Sequence, residues 1–146
     1  MSVKGHVDSQ ITFLYYADLE PAAHFYGQVL GLPLVADQGW AKIYQVGPGA
    51  FVGIVAGERG FHRPQPHNAV LLTLVVDDVQ AWYETLREAG VRILREPVRH
   101  EDIGVEGFFF EDPGGYALEA QRFLKPEDVR LFHRSEHQQG EEGSDI

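Results

Sequence analysis

With 146 residues, 44% of them hydrophobic, the chain has material for one well-buried core and too little for two ordinary large domains. Twelve Lys and Arg stand against 22 Asp and Glu, a formal net charge of −10, which repels nucleic-acid phosphates and anionic membrane surfaces. There are no cysteines, so disulfides, thiolate metal sites and a cysteine nucleophile drop out together. No apolar run reaches the roughly 18 residues of a membrane-crossing helix, and the opening MSVKGHVDSQ lacks the apolar stretch of a signal peptide. The expectation is a cytoplasmic protein that engages neither nucleic acid nor membrane.

Taken in order, the elements fall into two copies of one plan. Ile11-Thr12-Phe13-Leu14-Tyr15-Tyr16-Ala17-Asp18 aligns without a gap on Leu71-Leu72-Thr73-Leu74-Val75-Val76-Asp77-Asp78, 60 residues later. Each run is apolar, β-branched and aromatic, and reads as a strand buried on both faces that ends at a helix-capping Asp. After Asp18 the positions Leu19, Ala22, Phe25, Tyr26 and Val29 recur at helical spacing, and Gly31 closes the helix. Pro21 falls in the first turn, where a missing N–H costs little. Three short strand-like runs follow at 34–36, 41–46 and 51–56, separated by Gly, Pro and Asp. The stretch 58–68, GERGFHRPQPHN from Gly57 onward, has the Gly, Pro and polar content of a linker. The second half repeats the order: Asp78 as cap, a helix through Val79, Trp82, Leu86 and Ala89, Gly90 as its close, then strands at 92–98, 107–110 and 116–121. Pro126, Glu127 and Asp128 open a short helix through Val129, Leu131 and Phe132, and 135–146 is polar and acidic, with the composition of a disordered tail.

The pattern predicts an α+β protein made of two βαβββ modules whose mixed sheets curve into a cup. One module leaves its apolar face and its strand edges uncovered, and two side by side cover them. A single domain over 1–124 is expected, with module one at about 10–57, the linker at 58–68 and module two at about 69–124. Residues 125–146 supply the short helix and the disordered acidic tail.

Four motifs carry a resemblance: Asp18-Leu19-Glu20; then Phe25-Tyr26 with Val29-Leu30-Gly31-Leu32; then Asp77-Asp78-Val79 with Ala89-Gly90-Val91; and last Phe110-Glu111-Asp112-Pro113-Gly114-Gly115-Tyr116-Ala117-Leu118-Glu119. In order and at these distances, over roughly residues 10 to 123, they are similar to the vicinal-oxygen-chelate (VOC) superfamily. This is the glyoxalase, bleomycin resistance protein and extradiol dioxygenase group. The resemblance implies the paired βαβββ fold, the cup as the site, and a homodimer. Metal-using members hold a divalent ion with a His on each first strand and carboxylates on the last strands, a set that accepts Mn, Fe, Ni or Zn. Counted from Asp18 and Asp78, the two His positions fall on Ile11 and Leu71, and the first module's carboxylate position falls on Gly53. Glu119 alone is retained. No metal site, and no cofactor, is therefore expected. The alternative is a divalent-metal-dependent lyase, isomerase or extradiol-type dioxygenase, with Glu119 and His67 among its ligands.

Strand alternation from Ile11 and Leu71 turns Phe13, Tyr15, Leu71, Thr73, Glu119 and Gln121 into the cup, with Trp40 and Tyr44 at its wall or rim. Glu119 is the candidate catalytic acid or base, or else a hydrogen-bond anchor. Two plainer arrangements compete: the aromatics pack on one another as core, and Glu119 reaches out to Arg122. The leading expectation is a degenerate, metal-independent VOC protein that binds a small planar or aromatic molecule.

Overall fold

The computed structural model describes residues 1–135, so the part of the expected acidic tail at 136–146 lies outside the described residues. The elements are β1 (Gln10–Tyr16), α1 (Leu19–His24), β2 (Leu34–Asp37), β3 (Ala41–Gly47), β4 (Ala50–Ala56), β5 (Leu71–Val75), α2 (Val79–Glu88), β6 (Arg92–His100), β7 (Val105–Glu111), β8 (Ala117–Phe123) and α3 (Pro126–Phe132). Two four-stranded mixed sheets result, β1-β4-β3-β2 and β5-β8-β7-β6. In each, the first strand pairs in parallel with the last and the other pairs are antiparallel. The fold is α+β and consists of two βαβββ modules, as the repeat predicts.

Two compact units make up the chain. The first is Met1–Ala69 with Asp112–Gly115, and the second is Val70–Glu111 with Tyr116–Ile146. In both, the Asp after the opening strand caps the helix: Asp18 accepts from Glu20 N–H at 3.2 Å and Asp78 from Ala81 N–H at 3.0 Å. Gly31 and Gly90, at φ 71° and 78°, take the left-handed turn that closes each helical stretch. The first helix departs from a regular α-helix after His24. Phe25–Val29 winds as a π-helical turn, with Leu30 N–H reaching Phe25 C=O at 2.9 Å. Both Phe25 and Tyr26 are buried there.

The opening strands differ from expectation in one respect. Only one face of each is covered, not both. In β1, Leu14 and Tyr16 are buried, whereas Ile11 and Phe13 are exposed. In β5, Leu74 is buried while Leu71 and Val75 are exposed. Each sheet therefore has a helix-side face and an open face. The register assigns every residue to one of them, because cross-strand partners share a face. Val52 and Ile54 follow Leu14 and Tyr16 to the helix side, and Gly53 and Val55 follow Phe13 and Tyr15 to the open side. In the second sheet Leu118 and Ala120 follow Leu72 and Leu74, with Phe108 and Phe110 beside them. Tyr83 of α2 packs edge-on against Phe108 at 5.4 Å.

Candidate functional site

The open face of the first sheet is apolar and aromatic. Phe13 faces Gly53 across the β1–β4 pair. A Cβ placed on Gly53 would lie 2.3 Å from Phe13 Cδ1 and 2.4 Å from Cε1, so the ring rests directly over the glycine backbone. Phe13 is still 42% exposed. Beside it, the 58–68 segment folds back on the sheet: a Cβ on Gly60 would meet Val55 at 2.6 Å and Tyr15 at 2.8 Å. His62 packs edge-on to Tyr15 at 5.4 Å. The sequence signal for this was slight, since Gly and Pro mark a loop without saying which surface it lies on.

Tyr44 corrects one expectation. It pairs with Val52, not with Gly53, and so lies on the helix-side face at 3% exposure. Its ring stands 6.2 Å from that of Tyr26, and its hydroxyl donates to Ala23 C=O at 3.4 Å. Burial pushes its phenol pKa up. It is a core residue beneath the first helix, not a wall of the open face. Trp40 precedes β3, is 38% exposed, and carries the Arg59 guanidinium 5.6 Å above its ring.

On the open face of the second sheet, Leu71, Thr73 and Val75 pair with Ala117, Glu119 and Gln121. Thr73 Oγ1 donates to Glu119 Oε1 at 2.8 Å and Gln121 Nε2 donates to Oε2 at 3.2 Å. Both oxygens of the carboxylate are thus oriented by neighbours in the same sheet. Glu119 does not depend on Arg122, which pairs with Glu106 and falls on the other face. Two side chains complete this face that the sequence reading passed over. Phe109 is the cross-strand partner of Glu119, and Arg95 holds its guanidinium 5.3 Å above the Phe109 ring. Their placement depends on register shifts in β6 at Ile93/Arg95 and Arg95/Val98, which no spacing in the sequence announces.

These residues do not fit a divalent ion. Ile11, Leu71 and Gly53 bring no donor atoms, and among the described residues no three His, Asp or Glu side chains are gathered as a ligand set. His67 stands in the segment between β4 and β5.

A buried polar cluster belongs to the first unit and was quoted in the sequence only as part of a motif. The Asp112 carboxylate, 5% exposed, accepts from Tyr16 Oη and from Tyr26 Oη, the latter at 2.7 Å, while Gly114 N–H reaches its other oxygen at 2.9 Å. Burial, and then the neighbouring Tyr26 and Asp112, push the Tyr16 phenol far above its ordinary value. Both phenol hydroxyls donate to the carboxylate, which suits a structural anchor.

Among the described residues, no helix is long and apolar enough to cross a membrane. A sequence profile of the Glyoxalase/Bleomycin resistance protein/Dioxygenase superfamily matches residues 5–120. The uncharacterized protein YraH of Bacillus subtilis (strain 168) is 26% identical over 117 residues, covering 73% of this chain and 91% of its own. Among solved structures, a glyoxalase/bleomycin resistance protein/dioxygenase from Nocardioides superposes with a TM-score of 0.69 at 18% identity, over 86% of this chain and 88% of its own. Lactoylglutathione lyase from Agrobacterium tumefaciens does so with a TM-score of 0.63 at 20% identity, over 77% and 90%. At these identities the structures speak for the fold alone, and the profile match over most of the length decides the family. The chain belongs to the glyoxalase/bleomycin resistance protein/dioxygenase superfamily.

Proposed function

We propose that the protein is a cytoplasmic binder of a small, planar, aromatic molecule that needs no metal ion, built as one domain over residues 1–124. The observation that carries this reading is the Phe13 ring resting on Gly53. The position at which relatives would place a carboxylate ligand is filled by an aromatic side chain that remains largely open to a partner. Stacking on Phe13 and Tyr15 gives a flat ligand offset or edge-on contacts worth about 0.5–1.5 kcal/mol per ring beyond area burial. Trp40 contributes at the margin of this first-unit face. The open face of the second unit offers its own contact, in which Leu71 adds apolar surface and Glu119, aimed by Thr73 and Gln121, accepts a hydrogen bond from a donor group on a ligand, or a proton from it.

The test is a thermal-shift screen of planar aromatic compounds on protein of known metal content, with and without chelator and with Mn, Fe, Ni or Zn added. Ligand at about 100 times its Kd stabilises by about 2.7 kcal/mol, a rise of several degrees in Tm for a chain of this size. The rise should be indifferent to chelator, and smaller in Phe13→Ala for a ligand held on the first unit's face or in Glu119→Gln for one held on the second's. Stoichiometric bound metal, or stabilisation that appears only with a divalent ion, would overturn the reading. A homodimer goes with it, supported by the edge positions of β2 and β6; sedimentation at the monomer mass would exclude that assembly.

A further inference from the structure

The second unit carries a pocket at the end of β8, apart from Glu119. Ala120 lies on the helix-side face of the second sheet under α2, and alternation along β8 places Arg122 there too, across from Glu106, which in turn pairs with Arg99 of β6. Glu119 points the other way. Where β8 ends, Arg122, Phe123 and Leu124 meet Asp77, Arg99 and, from α3, Val129 around a half-open pocket of about 380 Å³, at the small end of the range for ligand sites.

The cavity is held open by defined contacts. Phe123 stacks on Phe132 with ring centroids 4.4 Å apart and 19° between planes. Leu124 N–H donates to Gly104 C=O at 2.9 Å. Phe123 N–H donates to His133 Nε2 at 3.0 Å, which requires a free lone pair on Nε2 and leaves Nδ1 as the protonated nitrogen. Burial, and then Arg122, hold the His133 pKa below its ordinary value, in keeping with that tautomer. Phe123, Leu124 and Val129 give the cavity an apolar wall, and Arg99, Arg122 and Asp77 give it charge.

The two arginines differ in availability. Among the described residues, Arg122 is in no ion pair. Arg99 pairs only with Glu101, in a contact whose partners are 55% and 74% exposed, and such a pair is worth so little that an incoming anion can replace it. Glu106 lies between the arginines in register and tempers their field. The net charge of −10 opposes anions at long range, but salt screens that repulsion beyond about 8 Å at physiological ionic strength. Contact with a guanidinium fork then decides.

We propose that this pocket is a second ligand site, for a small amphipathic carboxylate. Its anionic end sits on Arg122 and Arg99, its apolar body lies against Phe123, Leu124 and Val129, and Asp77 accepts from any donor the ligand carries.

Phenylacetate is a suitable probe, with benzyl alcohol as the same body lacking the charge, each titrated into the full chain and followed by amide NMR. Phenylacetate should shift the amides of Asp77, Arg99, Phe123, Leu124 and His133 and leave Thr73 and Glu119 unmoved. Its Kd should weaken at least fivefold in Arg122→Gln, recover at least half of that loss in Arg122→Lys, and weaken as salt is raised. Benzyl alcohol should bind at least fivefold more weakly. Equal binding of the two probes, an unchanged Kd in a folded Arg122→Gln protein, or shifts confined to the Thr73 and Glu119 face would each overturn the proposal. Fold is checked by the unshifted part of each variant's spectrum.

Discussion

Replacing Gly53 with Ala tests whether the Phe13 ring occupies the space over β4. A glycine inside a strand is expected to gain from this change: Ala loses less backbone freedom on folding, and the gain is about 0.4–1 kcal/mol where the backbone tolerates it. Gly53 has no positive φ to forbid it. The obstacle is steric, since the new Cβ would stand 2.3 Å from Phe13 Cδ1, well inside the ordinary carbon contact of about 3.5–4.0 Å. The ring must swing off the sheet. Full burial of a Phe side chain is worth about 1.5–3 kcal/mol, and Phe13 is 42% exposed already. Displacement therefore forfeits roughly 1–2 kcal/mol, and Gly53→Ala should destabilise the protein by about 0.5–1 kcal/mol net. In a Phe13→Ala background the obstacle is gone and the same substitution should stabilise by about 0.4–1 kcal/mol. Urea unfolding of the four proteins gives the cycle, with a coupling energy of about 1–2 kcal/mol expected. If Gly53→Ala has the same sign in both backgrounds, Phe13 does not lie where we place it, and the argument against a ligand carboxylate at this position loses its steric part.

Other outcomes follow from the remaining clusters. Tyr16→Phe removes one of the donors to the Asp112 carboxylate and should cost about 1.5–3 kcal/mol, as expected for a hydrogen bond to a buried charge; a loss below about 0.5 kcal/mol in urea unfolding would show that the cluster is not an anchor. Asp78→Ala should cost about 1 kcal/mol through loss of the cap on Ala81 N–H, measurable as a lower urea midpoint at unchanged slope. His133 gives a pH dependence whose sign is fixed by its lowered pKa. Above the unfolded value of about 6.5 both states are neutral and the stability is fully present. As pH falls from there through the folded value, the unfolded chain binds more protons and stability is lost. Between pH 7.5 and 5.5 the wild type should therefore lose more stability than His133→Gln, and parallel profiles would refute the assignment.

The fold was legible because both halves state it in the same way. Asp18 and Asp78 act as the caps they look like, and the two strands that correspond across 60 residues, β1 and β5, hold the same place in their sheets, each paired in parallel with the last strand of its module. The faces of β1 and β5 were legible by alternation, which set Phe13, Tyr15 and Thr73 on the open sides, and Glu119 of β8 joins Thr73 there by register. Alternation cannot compare strands, however, and this is where Tyr44 went astray. Its face depends on pairing with Val52, and an offset of one residue would have reversed it. Arg95 escaped for a related reason, because register shifts on either side break the count along β6. Asp112 was visible as a motif residue, but its partners Tyr16 and Tyr26 lie 96 and 86 positions away. No local pattern links them.

Glu119 is limited in what it can do by the side chains that hold it. Thr73 occupies one oxygen and Gln121 the other, so each keeps lone pairs for a further donor but the group has little freedom to turn. A transition metal would compete for the same lone pairs with one carboxylate in place of the usual set of three or four ligands, and Ile11, Leu71 and Gly53 offer nothing to complete the shell. A neutral donor on a ligand meets no such deficit. It gains a charge-assisted hydrogen bond at a prearranged position, beside an aromatic ring that already carries a cation, Arg95 over Phe109. That juxtaposition favours molecules that pair a flat, electron-rich face with an N–H or O–H at its edge. It disfavours simple alkyl compounds, which would leave the Arg95 charge and the Glu119 oxygens without new partners while covering them from water.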